Sequence, residues 1–590
     1  MPDWHDTPPS HEFATGVAEG RARPRRSLGS DALLLALGAL AMVVLRLWAT
    51  WDARAPQVVA DETAYLAMSR FMAGGPAWNL GESASYMPLY SMVIAPADFL
   101  GLSPQAVYRW AIIANAVLAG ITFLVVEALS RRITWFRRPW TVLVAACALS
   151  LPALVLTAGL AWSDNLAPLA FALIALCGLR LLDDVSTARA VTFLVVGLAA
   201  YAAHTRFLPV LAVSVSLVVL LAVRGLLSRV VTLVVVGGLV GGIAAIDAVA
   251  AHLAVALNMS GRDAGEFGRL FDVPALLTST VGQAWYLAVT TGGLALFGGL
   301  ALARSSGSAV RDRWRSGTVA PASGAPVWRA EDPLGGPQVI LLLALIGIAF
   351  ATSAGFMADR PRPDQLVYGR YNDMLAAPLV VLGLASLTTA PRRRIVVDLL
   401  AVAGTATLAA SVLWINHLEM LRGPFMPHTI LGLFALDPIA TQRLRYITVV
   451  GLGWTAAVTA LAVLSRRINR PLLVVGGCLV LFALALPRGE AASDRYVHSD
   501  PSVAEGLETV LAPGQEIVCA STAGCPLLEF YRFQFYLSDN PFLLAWDEGW
   551  RGSPVILAGP DQDDAAVLDG LGYEEVWRDA STGATIWTLG

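Results

Sequence analysis

The chain has 590 residues, of which 56% are hydrophobic and 14% charged, and its mean hydropathy is +0.63. Soluble domains run near 45–50% apolar and about 25% charged, so the composition excludes one soluble core and implies a polytopic membrane protein. The formal charge of -3 supplies no general basic field for nucleic acid.

All 41 basic residues are Arg. This removes P-loop, Schiff-base and lysine general-base chemistry, and it makes every cationic contact to a phosphate a guanidinium. Residues 1–30 form a polar tail carrying Arg21, Arg23, Arg25 and Arg26. The run at 31–51 has the length of a retained spanning helix rather than a signal peptide. Further apolar runs stand at 105–127, 140–161, 165–182, 190–204, 207–223, 230–256, 281–303, 337–355, 373–389, 396–415, 444–464 and 471–487. The expectation is therefore about thirteen spans within 31–487.

Arginine placement orients them. With the N-terminus cytoplasmic, RRITWFRRP, VRGLLSR, APRRRI, SRRINR and a flexible inner loop at 304–336 fall inside. The long first outer loop, 52–104, and the tail after the last span fall outside. In residues 488–590 strand-like runs (QEIVCAS, SPVILAG, YEEVWRD, ATIWTLG) alternate with helix-like ones (SVAEGLETVLA, CPLLEFYRF, DQDDAAVLDGL), which predicts a small extracytoplasmic α/β domain. There Cys519 and Cys525 read equally as a disulfide or as two buried thiols. Trp546, Trp550 and Trp577 offer rings to a glycan, with core packing the plainer role for Trp577. No CxxC or HExxH spacing marks a zinc site.

The polar residues that interrupt this apolar plan are the candidate site. Asp61 and Glu62 precede ETAYLAMSRFMAGG, whose period predicts a short amphipathic surface helix with Tyr65, Met68 and Phe71 on one side. A carboxylate at its start suits the helix dipole, and simple N-capping explains Asp61 equally well. Adjacent acids repel, which favours a raised pKa in one of them. Asp164 in AWSDNLAP and His204-Thr205-Arg206 lie at outer helix ends, as does the stretch from Arg360 to Asp373 with Tyr368, Arg370 and Tyr371. A guanidinium there matches a lipid phosphate, whereas capping and interface anchoring are the structural alternatives. His417, Glu419, Arg422 and His428 read as rim contacts of a further outer loop.

The acidic pair, Tyr65 and the stretch YMPLYSMVIAP (with Tyr90), together with YGRYN from Tyr368 to Asn372, resemble the GT-C glycosyltransferases. The similarity extends to the protein O-mannosyltransferase-like and aminoarabinose transferase-like branches, and to actinobacterial arabinofuranosyl- and mannosyltransferases. It implies a multi-pass plasma-membrane enzyme with an outward-facing site. Such an enzyme moves a sugar from a polyprenyl-phosphate donor to a glycan, lipid or protein acceptor. By this resemblance Asp61 is the catalytic base or orients the acceptor hydroxyl; Glu62 and Asp164 are the further candidate catalytic acids, and Tyr65, Tyr90, His204, Arg206, Arg370 and Tyr371 the candidate donor and phosphate contacts. A divalent metal on the carboxylates stays open. The chemistry is consistent with a single inverting displacement: one carboxylate deprotonates the acceptor hydroxyl, and arginines stabilise the departing phosphate. The alternative is a transporter or flippase of lipid-linked sugars, which predicts charges inside spans and an internal repeat.

Overall fold

The computed structural model describes residues 28–56, 59–81, 83–260, 272–316, 334–422, 425–436, 444–468, 472–496, 507, 510–520, 527–545, 551–559, 562–578 and 583–590. The basic N-terminal tail, Cys525, Trp546, Trp550 and most of SVAEGLETVLA lie outside them. The helices of the membrane part are α1 Leu28–Ala49, α2 Val59–Met72, α3 Leu89–Phe99, α4 Pro104–Ile133, α5 Arg138–Leu149, α6 Ala167–Asp183, α7 Thr187–Ala203, α8 Leu208–Val223 and α9 Arg229–Ala256. They continue with α10 Val273–Thr290, α11 Leu294–Ser316, α12 Gly336–Met357, α13 Asp373–Thr389, α14 Arg392–Asn416, α15 Leu444–Arg467 and α16 Leu472–Tyr496.

Among the described residues eight helices are long and apolar enough to cross a membrane, and two bent pairs raise this to ten. Two of the thirteen runs expected from the sequence are thus bent pairs rather than single straight helices. The runs at 187–203, 373–389 and 473–486 form shorter apolar helices. The run at 281–303 is broken: α10 and α11 meet at 115°. Gly292 and Gly293, with φ of 58° and 78°, make that turn, which side-chain-bearing residues rarely adopt. A second break, of 73°, follows α5. Helix α11 runs on to Ser316, so the expected inner loop at 304–336 is helical in its first part.

Small residues set the closest helix crossing. A Cβ on Gly298 would meet Leu379 O at 2.0 Å, and one on Gly383 would meet Leu294 O at 2.1 Å, so α11 and α13 touch backbone to backbone. Ion pairs order one end of the bundle: Arg138 with Asp31, Arg132 with Asp183, and Arg304 with Asp398. These belong to the arginine-rich connections that the sequence grouped together. Asp61, Asp164, Arg206 and Arg370 gather at the opposite end.

The first loop is more structured than expected, because α3 joins α2 within it. Helix α2 is also not a half-exposed surface helix: Ala64 to Ser69 are all 2% exposed or less. The tail domain covers its other side. That domain has strands β1 Ile517–Ala520, β2 Phe542–Ala545, β3 Val555–Ala558, β4 Tyr573–Arg578 and β5 Thr585–Leu589, with helices α17 Leu527–Tyr536 and α18 Gln562–Gly570. The sheet order is β2-β1-β3-β5-β4, with β1 parallel to β2 and β3, and β5 antiparallel to β3 and β4. The all-apolar VILA of β3 is buried throughout, as a central strand must be. Cys519 is disulfide-bonded.

Helix α17 docks on the first loop. Gln534 accepts from Asn79 N at 2.7 Å and donates to Asn79 O at 2.8 Å, and Tyr531 donates to Leu80 O at 2.8 Å. One apolar cluster runs from Tyr65, Met68 and Trp162 into Phe530, Phe533 and Ile586 of the tail. Trp577 packs edge-on to Phe533 at 5.6 Å, the core role.

Candidate active site

Helix α2 begins at Val59, which places Asp61 in its first turn rather than at the cap. There the exposed N–H groups of the helix start favour a carboxylate. Asp61 Oδ1 accepts from Tyr86 Oη at 2.7 Å, and Oδ2 is paired with Arg370 Nη1. Burial works to raise the Asp61 pKa, but Arg370 and Tyr86 overcome it and hold the group at about 2.

Arg370 bridges two acids. Its Nε lies 2.5 Å from Asp164 Oδ2, and its guanidinium stacks 3.8 Å above the Trp162 ring. Asp164 sits in the helical turn Ser163–Asn165 that leads into α6. Its other oxygen lies 2.6 Å from Arg206 Nη2. Arg206 in turn lies 4.6 Å over the Tyr371 ring, and its Nε and Nη1 have no hydrogen-bond partner. Exposure falls steeply along this row: Asp61 is 22% exposed, Arg370 7%, Asp164 4% and Arg206 2%. Two acids and two arginines neutralise one another, with Asp61 at the open end.

The YGRYN stretch explains how Arg370 gets there. Gly369 N and Arg370 N both donate to Thr429 O at 3.0 Å. A Cβ at Gly369 would lie 1.9 Å from the Tyr286 ring, so only glycine lets this backbone pass. Tyr368 packs edge-on to Tyr371 at 4.8 Å. The Asn372 amide donates to Gln283 Oε1 at 2.7 Å and to Tyr368 O at 3.0 Å. His204 Nδ1 accepts from Arg206 N at 3.2 Å, and the His204 ring meets Tyr371 at 5.4 Å.

Asp61, Asp164, Arg206, Arg370, Tyr371 and His204 therefore share one locus. Tyr65 borders it, its hydroxyl 2.6 Å from Ser163 Oγ. Glu62 and Tyr90 point elsewhere. Glu62 is fully buried, and its Oε1 accepts from Tyr108 Oη at 2.8 Å and Ala161 N at 2.6 Å. These bonds tie α2 to the connection that carries Asp164. Tyr90 donates to Asn115 Oδ1 at 2.7 Å, and its ring edge supports Tyr65 at 5.3 Å. Arg362 pairs locally with Asp364 at 3.1 Å.

Several members were not picked out from sequence. Tyr86 opens the noted YMPLY stretch, and Trp162 and Ser163 flank Asp164 in AWSDN. His428 lies beside Trp162 at 6.1 Å rather than at the rim. Burial first, and then the positive charge of Arg370, lower its pKa to about 4, so it is neutral near pH 7. Among the described residues no three His, Cys, Asp or Glu side chains converge as a metal site. The bridging Arg370 already fills the space between the two carboxylates, so the donor set does not fit a divalent ion.

No protein-family model matches the chain, and no curated protein matches it. Solved structures do. The crystal structure of ArnT from Cupriavidus metallidurans bound to undecaprenyl phosphate matches at 15% identity and a TM-score of 0.53, covering 96% of this chain and 99% of that one. Its apo structure matches at 15% identity and a TM-score of 0.54, over 95% and 98%. The oligosaccharyltransferase AglB from Archaeoglobus fulgidus matches more loosely, at 12% identity and a TM-score of 0.39, over 95% of this chain and 74% of that one. Across nearly its whole length, the chain thus shares the fold of ArnT, helical and completed by a small C-terminal sheet domain.

Proposed function

We propose that the chain is a membrane glycosyltransferase. It moves a sugar from a polyprenyl-phosphate donor to a glycan, lipid or protein acceptor of the cell envelope, on the outer face of the plasma membrane. The carrying observation is the row Asp61–Arg370–Asp164–Arg206, which grades from an accessible carboxylate to a buried guanidinium with unpartnered N–H groups. ArnT, whose fold the chain shares, was crystallised with undecaprenyl phosphate. The row sits at the end of the bundle rather than within its spans, which favours transfer over translocation.

In this reading the acceptor O–H donates to Asp61, and its oxygen attacks the anomeric carbon. The bond from that carbon to the phosphate oxygen breaks, and its electron pair leaves with the phosphate, giving inversion. Arg206 and Arg370 face the growing phosphate charge in a site shielded from water. A carboxylate held near 2 is a weak proton acceptor. The arriving phosphate competes for Arg370, loosens its hold on Asp61, and so raises the basicity of Asp61 when the acceptor is present. Glu62 is a positioning residue that fixes α2 against the Asp164 connection.

The test is transfer by purified protein in liposomes, from polyprenyl-phosphate arabinofuranose and polyprenyl-phosphate mannose. Asp61→Asn should lose at least about 100-fold in rate, the usual contribution of a general base. Full transfer by that variant removes Asp61 from the mechanism. Labelling of R54C, at an exposed position between α1 and α2, by an impermeant maleimide in intact cells tests the outward orientation.

A further inference from the structure

His428 stands beside the row without a task in the transfer step. It belongs to the turn Pro427–Thr429, which its neighbour straps to the arginine stretch. Thr429 O accepts from Gly369 N and Arg370 N, and Thr429 Oγ1 lies 2.9 Å from Asp364 Oδ2. The His428 ring meets Trp162 edge-on at 6.1 Å, and Arg370 stacks at 3.8 Å over that same Trp162 ring. The imidazole is half-buried, and among the described residues neither of its nitrogens has a hydrogen-bond partner. A basic lone pair is thus left unused next to the reacting groups.

The charged groups that face His428 are Arg370 and Arg362 from the stretch before α13, Asp61 of α2, and Asp164 in the turn before α6. The arginines oppose a proton on the ring and the acids favour one. Burial and Arg370 prevail, so the ring rests neutral with its pKa at about 4. Sugar transfer changes that balance. The donor phosphodiester carries one negative charge, whereas the monoester left behind carries up to two, since the second pKa of such a phosphate is about 6. At the same moment Asp61 acquires the acceptor proton, which a carboxylate does not keep near neutral pH even at its ordinary pKa of about 4. Imidazole is the stronger base of the two, and negative charge gained at Arg370 strengthens it further.

We infer that His428 receives the acceptor proton passed on by Asp61 and, as an imidazolium, faces the lipid monoester that the transfer leaves in the site. This rests on the proposed transfer and names the destination of its proton. The O–H bond at Asp61 breaks, an N–H bond forms on the ring, and the proton goes to water when the lipid phosphate departs. His428 therefore acts through Asp61 and touches neither sugar.

Farnesyl phosphate, a lipid monoester of the product's class, is the probe. Its Kd is measured by isothermal titration calorimetry in detergent at constant ionic strength, for wild type and His428→Gln. The probe's own ionisation is common to both proteins and cancels in the ratio of their Kd values. A ring that is neutral in the free protein and charged in the complex makes binding tighter at low pH. The wild-type Kd relative to that of H428Q should therefore rise at least about fivefold between about pH 5.5 and 7.5. A ratio constant within about twofold over that range overturns the inference and leaves sugar transfer standing, because a packing role alone weakens binding equally at every pH. No binding by wild type overturns the transfer reading together with this one. If H428Q fails to fold, H428N is compared by the same criterion.

Discussion

Replacing Arg370 with Gln strands Asp61 and leaves Asp164 to Arg206 alone. Arg370 is 7% exposed and touches Asp61 and Asp164, the latter 4% exposed. Removing one partner of a buried ion pair costs about 3–5 kcal/mol. The Asp61 share follows separately. Its pKa drops from 3.8 to about 2, a little under two units, or about 2 kcal/mol. The folded-state pKa is depressed, so this contribution is complete above pH 3.8 and vanishes as pH falls through 2. Arg370→Gln should therefore destabilise the protein by about 3–5 kcal/mol at pH 7, measured by reversible denaturation in mild detergent. Adding Asp61→Asn removes the stranded charge and leaves the Asp164–Arg206 pair intact, so it should recover at least about 2 kcal/mol, and the two changes are strongly non-additive. Transfer activity should not return with the stability, because the double variant still lacks the guanidinium that meets the phosphate. A loss below 1 kcal/mol in the single variant, or simple additivity in the pair, refutes the bridging role assigned to Arg370.

Other changes separate scaffold from chemistry. Glu62→Gln keeps both acceptor bonds to Tyr108 and Ala161 and should transfer sugar within about threefold of wild type, whereas Glu62→Ala leaves the buried Ala161 amide unpaired, with the Tyr108 hydroxyl still on Gly159 O, and should cost about 1–3 kcal/mol by the same denaturation assay. Gly369→Ala drives a methyl into the Tyr286 ring and should lower kcat by shifting Arg370, while a Y286L/G369A pair, read by the same steady-state assay, recovers part of it. His428 charges near pH 4 when folded and near 6.5 when unfolded, so wild-type stability should fall as pH drops from 6.5 to 4. In His428→Gln the slope over that interval should flatten. In the docking face, Arg70→Ala breaks an exposed pair with Asp539 and should cost under 1 kcal/mol, but Gln534→Leu unpairs both backbone groups of Asn79 and should cost about 2–3 kcal/mol, by thermal unfolding.

The ends of the bundle were legible because arginine content and apolar length are linear properties of the chain. Asp61, Asp164, Arg206 and Arg370 stood out for the same reason, as charges next to apolar runs. Their pairing was not legible. Arg370 and Asp61 are 309 positions apart, and nothing local says that one guanidinium serves two carboxylates. Glu62 illustrates the limit: beside Asp61 it reads as a second catalytic acid, yet one step along a helix turns a side chain by about 100°, here into the Tyr108 contact. The amphipathic reading of α2 failed because the tail, more than 400 residues later, covers the face left for solvent. The short strand β2 was missed in PFLLAWDEG, where four apolar residues carry too little period to classify. The broken span at 281–303 hid behind its own composition, since hydropathy does not register a change of direction.

That crease has a reach well beyond its own residues. By folding back at Gly292 and Gly293, the chain brings α10 against the YGRYN stretch, where Gln283 grips Asn372 and Tyr286 presses on Gly369. The altitude of the guanidinium is set by a crease in a neighbouring rod, not by the pentapeptide that contains it. Grafting YGRYN onto a straight-rod scaffold would supply the right letters at the wrong height, so any transplant of this chemistry must carry the paired glycines along.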